Sequence, residues 1–246
     1  MGANARTSNT KYYRTFKGDI VLPVPAGTPN AKSRKKKDSE EMIHELHYGS
    51  ISGWIKDFFV KISEHGGKKY ITLNIYLVDK NDVMCLQVSN NSGMARGFYY
   101  RLKNVNFNHE VEICTAYFPE KDGKPASSAM WIKQGDQNVP RFWNDDNLPA
   151  PKVTEGFDEL QQPIKKYDWT ERSAFINNHL QDEILPLLGQ EPKLVRDKPN
   201  LKPEDLPGNV NQSAAPVAEA PMADHIGSSV YPEAEGIKPE KGSRTS

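Results

Sequence analysis

The segment from Tyr48 to Gln134 predicts a mainly β domain, a five-stranded barrel with one helix between its third and fourth strands. Three observations predict it. Apolar residues recur at every second position in five separate runs, the period of half-buried strands. Phe98 and Leu102 stand four apart between the third and fourth runs, a helical spacing. Gly, Asn and Asp clusters punctuate the runs as turns. Strand-strand-strand-helix-strand-strand is the order of an OB-fold, a small barrel often used to bind single-stranded nucleic acid.

The first strand runs from about Tyr48 to Ser63. Ile51, Gly53 and Ile55 share one parity, and Phe58, Val60 and Ile62 the other, so an extra residue near Lys56-Asp57 forms a bulge. Gly53 permits a bend beside it. After the His65-Gly66-Gly67 turn, Lys69 to Val78 alternates without interruption. Ile71, Leu73, Ile75 and Leu77 point inward, and Tyr70, Thr72, Asn74 and Tyr76 outward. The third strand puts Met84, Leu86 and Val88 inside. Met94 to Leu102 is the helix, Val111 to Phe118 the fourth strand, and Ser128 to Gln134 the fifth, with Lys121-Asp122-Gly123-Lys124 as the hairpin between them.

The flanks differ in composition from this core. Residues 1–47 read as a flexible basic arm: the first 37 residues hold nine Lys or Arg against one Asp, and Lys-Ser-Arg-Lys-Lys-Lys at 32–37 follows a Pro-rich stretch. Within the arm, Asp19 to Val24 is a candidate short strand. Residues 144–189 read as an acidic linker and a helix, opened by a capping box of Asp168 and Glu171, striped by Ile176, Leu180 and Ile184, and closed by Pro186. This helix either packs on the barrel or contacts a partner. Residues 190–246 read as a disordered Pro/Ala-rich acidic tail, since Glu204 to Glu235 holds six acidic residues and no Lys or Arg. Cys85 and Cys114 fall in strands as buried reduced thiols, in keeping with the cytoplasm. No signal peptide or run of about 18 apolar residues is evident, and Arg6 breaks a myristoylation signal.

The chemistry-bearing residues lie on the outer face. Of the chain's 23 aromatic residues, 15 lie in 48–143. Phe58, Phe98 and Tyr117 take inward positions, whereas Trp54, Phe59, Tyr70, Tyr76 and Trp131 fall on the outward parity beside Lys56, Lys61, Lys69 and Lys133. Rings stack on bases whatever the base, and lysines neutralise the phosphate backbone. These rings line a single-strand groove, or they cover the second face of a sandwich or pack under the C-terminal helix. Arg34, Lys35 and Lys36 in the basic run add long-range attraction for nucleic acid, or are simply solvated. Catalytic signatures are weak throughout. His44 and His47 are three apart rather than four, with Asp145 the only further ligand for a metal-dependent nuclease, and neither a phosphate-binding loop nor a nucleophile elbow occurs.

The barrel order, the aromatic and basic surface, the segment His47-Tyr48-Gly49-Ser50-Ile51-Ser52-Gly53-Trp54-Ile55, the alternating Lys69 to Asp79 strand and the Trp131-Ile132-Lys133-Gln134 strand together resemble the single-stranded DNA-binding proteins of tailed bacteriophages, in particular those of crAss-like phages. The likeness covers about 48–143. It implies an OB-fold without catalysis or cofactor, coating and protecting single-stranded DNA in replication, recombination and repair in the cytoplasm of an infected cell. Phage replication proteins are the implied partners, reached through the acidic tail or the C-terminal helix. The chain departs from the family's usual acidic and apolar tip, ending Lys241-Gly242-Ser243-Arg244-Thr245-Ser246. The alternative is an OB-fold interaction module, an RNA-binding or virion-associated scaffold. Oligomeric state stays open.

Overall fold

Alternation in the stretch from Ile51 to Gln134 organises the centre of the molecule. The computed structural model describes residues 10–36, 39–80, 82–121, 126–144, 146–157 and 163–201. The predicted order is present: β5 (Ser50–His65), β6 (Lys68–Val78), β7 (Val83–Ser89), helix α1 (Gly93–Tyr99), β8 (Val111–Phe118) and β9 (Ser127–Gln134). Four strands precede them, β1 (Thr10–Phe16), β2 (Asp19–Val24), β3 (Lys32–Lys35) and β4 (Met42–Tyr48). After them come β10 (Gln137–Asn138), β11 (Lys152–Phe157), β12 (Pro163–Asp168) and α2 (Thr170–His179).

The closed five-stranded barrel is corrected to an open ten-stranded sheet, ordered β10-β9-β8-β5-β6-β7-β1-β2-β4-β3. The cause lies in the N-terminal residues. β1 pairs in parallel with β7, Tyr12 beside Cys85 and Arg14 beside Gln87, so the edge at which a barrel would close is already occupied. β9 pairs with β8 and β10 instead. Residues 10–35, expected as part of a flexible arm, are therefore ordered sheet; Asp19–Val24 is the strand expected there. The sheet still curls. The Thr115 hydroxyl donates to the Gly18 carbonyl, and a Cβ at Gly18, which has φ +84°, would lie 2.5 Å from the Tyr117 backbone nitrogen. Only glycine tolerates both that φ and that approach.

The bulge is where parity placed it. The β5–β6 register shifts between Ile55 and Asp57, and Gly53 lies against the Val78 carbonyl. Ile51, Ile55, Phe58, Leu73, Ile75, Leu77, Leu86, Ile113 and Ile132 fill one core. Tyr117, read as inward, stands exposed instead. Helix α1 begins at Ser92, whose hydroxyl accepts from the Ala95 N–H. Gly93 and Gly97 set α1 directly on β9: a Cβ on Gly97 would come within 2.2 Å of the Met130 carbonyl oxygen.

Helix α2 packs its Ile176 on this core, with Leu180 and Ile184 from the turns that follow. Its predicted capping box is not formed. Asp168 accepts from the Thr170 N–H, while Glu171 pairs with Lys152. Pro186 does not end the helix at once. The chain widens into a π turn over Leu180–Ile184, with the Leu185 N–H reaching the Leu180 carbonyl, and continues as a short turn to Leu187. Proline provides no N–H for the usual ladder, and a π turn relieves its clash with the preceding turn.

Beyond Gly189 the described chain stays attached. Val60 donates to Leu194 and accepts from Arg196, and Val195 bridges Val60 in parallel. Residues 190–201, expected as the start of a disordered tail, form a strap across the outer side of β5. Residues 202–246 and the hairpin tip 122–125 lie outside the described residues. Among the described residues, no helix is long and apolar enough to cross a membrane.

Candidate nucleic-acid interface

Register divides the outer face of β5, β6, β7 and β1 into rows. Asp57, Tyr76, Cys85 and Tyr12 stand side by side in one row, Phe59, Asn74, Gln87 and Arg14 in the next, then Lys61, Thr72 and Ser89, and last Ser63 and Tyr70. The strap closes one end of this face. Arg196 pairs with the wholly buried Asp57 and lies 5.1 Å over the Phe59 ring, and the Asn200 N–H also reaches the Asp57 carboxylate at 3.0 Å. Phe59 and Tyr76 stack at 5.9 Å in a second apolar cluster with Val78, Val83 and Cys85, against which Leu201 packs.

Two sequence-predicted base-stacking residues are thereby corrected. Phe59 and Tyr76 are core, because alternation reports which side of a sheet a residue takes and is silent on whether a distant segment covers that side. Burial pushes the Tyr76 phenol and the Cys85 thiol well above their ordinary ranges, the thiol to about 12. Both remain protonated hydrogen-bonding groups at neutral pH.

The other predicted residues do not converge on one surface. Trp54, Trp131 and Lys133 lie on the outer side of β5, β8 and β9, all partly covered, and Lys133 pairs with Glu112 at 3.4 Å. The Ser50 hydroxyl and Lys133 hold the Glu112 carboxyl below its ordinary range, against a smaller opposing effect of burial. Lys56 is half-buried at the bulge, where its carbonyl accepts from Gln190. The basic run is tied to carboxylates at the far edge of the sheet. Arg34 makes a two-pronged pair with Glu45 and stacks 4.4 Å over Phe16, Lys35 pairs with Glu40, and Lys36 with Glu41. His44 bonds Ser33 and His47 bonds Asp19; Asp145 lies outside the described residues, among which no cluster of three metal-ligating side chains occurs.

Lys61, Lys69 and Tyr70 stand at the open end of the outer face, exposed to solvent. A cavity of about 550 Å³ lies there, lined by Arg14, Lys69, Tyr70, Thr72, Gln87 and Asn91. Gln87 is held by its amide donating to Asn74 at 3.0 Å. Asn91 also lines a second cavity of about 730 Å³, between the β7–α1 turn and the start of α2, where Arg96, Tyr99, Trp169 and Arg172 form much of the wall. The two cavities share Asn91 as a wall residue, and together they are the candidate groove. Trp169 offers a ring 41% exposed, backed by the Arg172 guanidinium at 4.9 Å. Arg172 in turn is held by donating to the Pro149 carbonyl. Tyr99, its phenol raised by burial and so neutral, donates to Asn90, next to the shared Asn91. Arg14, Lys69 and Arg96 form no ion pair among the described residues.

The groove thus holds two exposed aromatic rings, Tyr70 with Arg14 and Lys69 in one cavity and Trp169 with Arg96 in the other. Sequence reasoning found Lys69, Tyr70 and the neighbouring Lys61. It missed Arg14, because β1 was read as arm, and it missed Arg96, Trp169 and Arg172, which reach the site only because α2 docks beside α1. The paired Trp169-Thr170 start of a helix striped by Ile176 was the available signal. No known protein family, curated protein or solved structure matches the chain.

Proposed function

We propose that the chain is a non-enzymatic protein that binds single-stranded DNA along the groove from Tyr70 to Trp169, coating and protecting it during phage DNA replication, recombination and repair. The two cavities that share Asn91 carry this reading. Between them they hold two exposed rings and three cations that no carboxylate neutralises among the described residues. Stacking of bases on rings is indifferent to base identity, and phosphate contacts carry no sequence information, so the expected binding is sequence-tolerant. A duplex presents its bases already paired and stacked, leaving nothing for Tyr70 or Trp169 to hold.

Fluorescence anisotropy with labelled oligo-dT, against matched RNA and duplex, tests the reading. Tyr70→Ala and Trp169→Ala are each expected to weaken oligo-dT binding by about 1–3 kcal/mol, roughly 5- to 150-fold, with unchanged melting temperature. Micromolar or weaker wild-type binding at low salt, with no preference over duplex, sinks it. Tighter binding to RNA than to DNA would move the same groove to an RNA-binding role.

A further inference from the structure

The β11–β12 ribbon pairs with itself and with no other strand among the described residues. A lone two-stranded ribbon is marginal in water. This one nevertheless keeps large apolar side chains in solvent: Val153, Phe157 and Tyr167 are 49%, 68% and 52% exposed. The register places Val153 opposite Tyr167 and Glu155 opposite Lys165, and alternation puts Phe157 on the same face. Glu155 and Lys165 stand 3.8 Å apart with both side chains largely exposed.

The face is therefore built in three rows: apolar at Val153 and Tyr167, one negative and one positive charge at Glu155 and Lys165, and apolar again at Phe157. A two-fold axis along the strands sets each apolar row on its own copy and Glu155 opposite the partner's Lys165, the self-complementarity that a contact between identical surfaces requires. Placed face to face, two such ribbons bury apolar rows against apolar rows and bring each Glu155 within reach of the partner's Lys165. Nucleic acid fits the ribbon less well. On the face itself Glu155 and Lys165 offset each other, so a phosphate backbone would meet no net positive charge there.

We infer that this ribbon face is where two copies of the chain meet. The face is small beside the roughly 1,600 Å² of a standard stable interface, so the contact is weak and depends on concentration. Tyr167 stacks on Trp169 at 6.0 Å, which sets the contact next to the groove and lets neighbouring copies meet on one strand.

Sedimentation velocity on the full chain, without nucleic acid, over about 1–300 µM reads the association directly. The expected result is an average mass rising from 27.7 kDa toward twice that value. Phe157→Asp is expected to remain monomeric with the melting temperature of the wild type. Glu155→Lys alone and Lys165→Glu alone are each expected to associate at least tenfold more weakly than wild type. An equimolar mixture of the two should associate as the wild type does, because a doubly basic row then faces a doubly acidic one. The combined variant E155K/K165E restores opposite charges within the ribbon and is expected to dimerise, which separates a broken contact from a broken fold. A wild-type protein monomeric throughout the range overturns the inference, as do variants that all dimerise like wild type or a mixture no better than its components.

Discussion

Replacing Arg196 with methionine tests whether the strap is part of the folded core. Asp57 is wholly buried, and its carboxylate has the Arg196 guanidinium at 2.5 Å and the Asn200 N–H at 3.0 Å. Methionine fills much of the same space, so packing loss is small. The carboxylate, however, is left with a single neutral donor in a site without solvent. Removing one partner of a buried pair costs about 3–5 kcal/mol. The strap sets a ceiling on that cost, because residues 194–201 can lift and let water reach Asp57, giving up only the strap's own hydrogen bonds and Leu201 packing. The expected loss is therefore about 3 kcal/mol, the lower end of that range. At about 2–4 °C per kcal/mol for a domain of this size, the melting temperature should fall by roughly 6–12 °C. Urea unfolding followed by tryptophan fluorescence and circular dichroism measures both. A lower m-value in R196M would mark a lifted strap in the native state. A double-mutant cycle with Asp57→Asn should give a coupling above about 1 kcal/mol. A loss below about 1 kcal/mol, the level of a surface ion pair, would refute the reasoning.

Other expectations follow from close approaches and buried thiols. Gly97→Ala places a methyl 2.2 Å from the Met130 carbonyl and should destabilise by about 1–3 kcal/mol despite alanine's better helix propensity, while Gly49→Ala, which meets nothing, should be silent in the same urea titrations. Burial holds the Cys85 thiol and the Tyr13 phenol at about 12, above their unfolded values. The folded chain then keeps protons that the unfolded chain releases, so this contribution is complete below the ordinary thiol range and is lost as pH climbs toward 12. Urea midpoints should fall between about pH 8.5 and 11, with Cys85 unreactive to thiol reagents until urea is added; a flat profile would contradict it.

Periodicity made the middle of this fold legible. A single extra residue at Lys56 was readable because it moved every later apolar side chain of β5 to the other parity, and the β5–β6 register shifts there. Gly93 and Gly97, four apart, now have a packing reason, since α1 rests on β9 through them. Two things were not legible. Closure was one: which strand takes the β7 edge is a competition between distant segments, and β1, diluted among lysines and prolines, wins it in parallel. The other was cover. Tyr70 and Tyr76 are six apart on one strand with the same parity, yet one is half in solvent and the other is buried. Only the path of residues 194–201 separates them, and nothing periodic in that stretch announces it.

That separation bears on the proposed function, because it sets how tightly one copy would hold a strand. With Phe59 and Tyr76 covered, the groove has two platforms, Tyr70 and Trp169, contributing about 1–3 kcal/mol per stacked base. Its three cations, Arg14, Lys69 and Arg96, neutralise about three phosphates, for a slope of log K against log salt near −2 on single strands. K35A/K36A should leave that slope unchanged, since both lysines already face carboxylates, whereas Lys69→Ala should reduce it by about 0.7. On the proposed function such a copy would be a modest binder, and dense coverage of a long strand would come from contacts between copies. Affinity should therefore rise steeply with oligo-dT length once two copies fit, and in Phe157→Asp it should rise only with the number of sites. An equal length dependence in both proteins would separate coating from the ribbon contact, leaving the groove intact as the site and the copies independent along the strand.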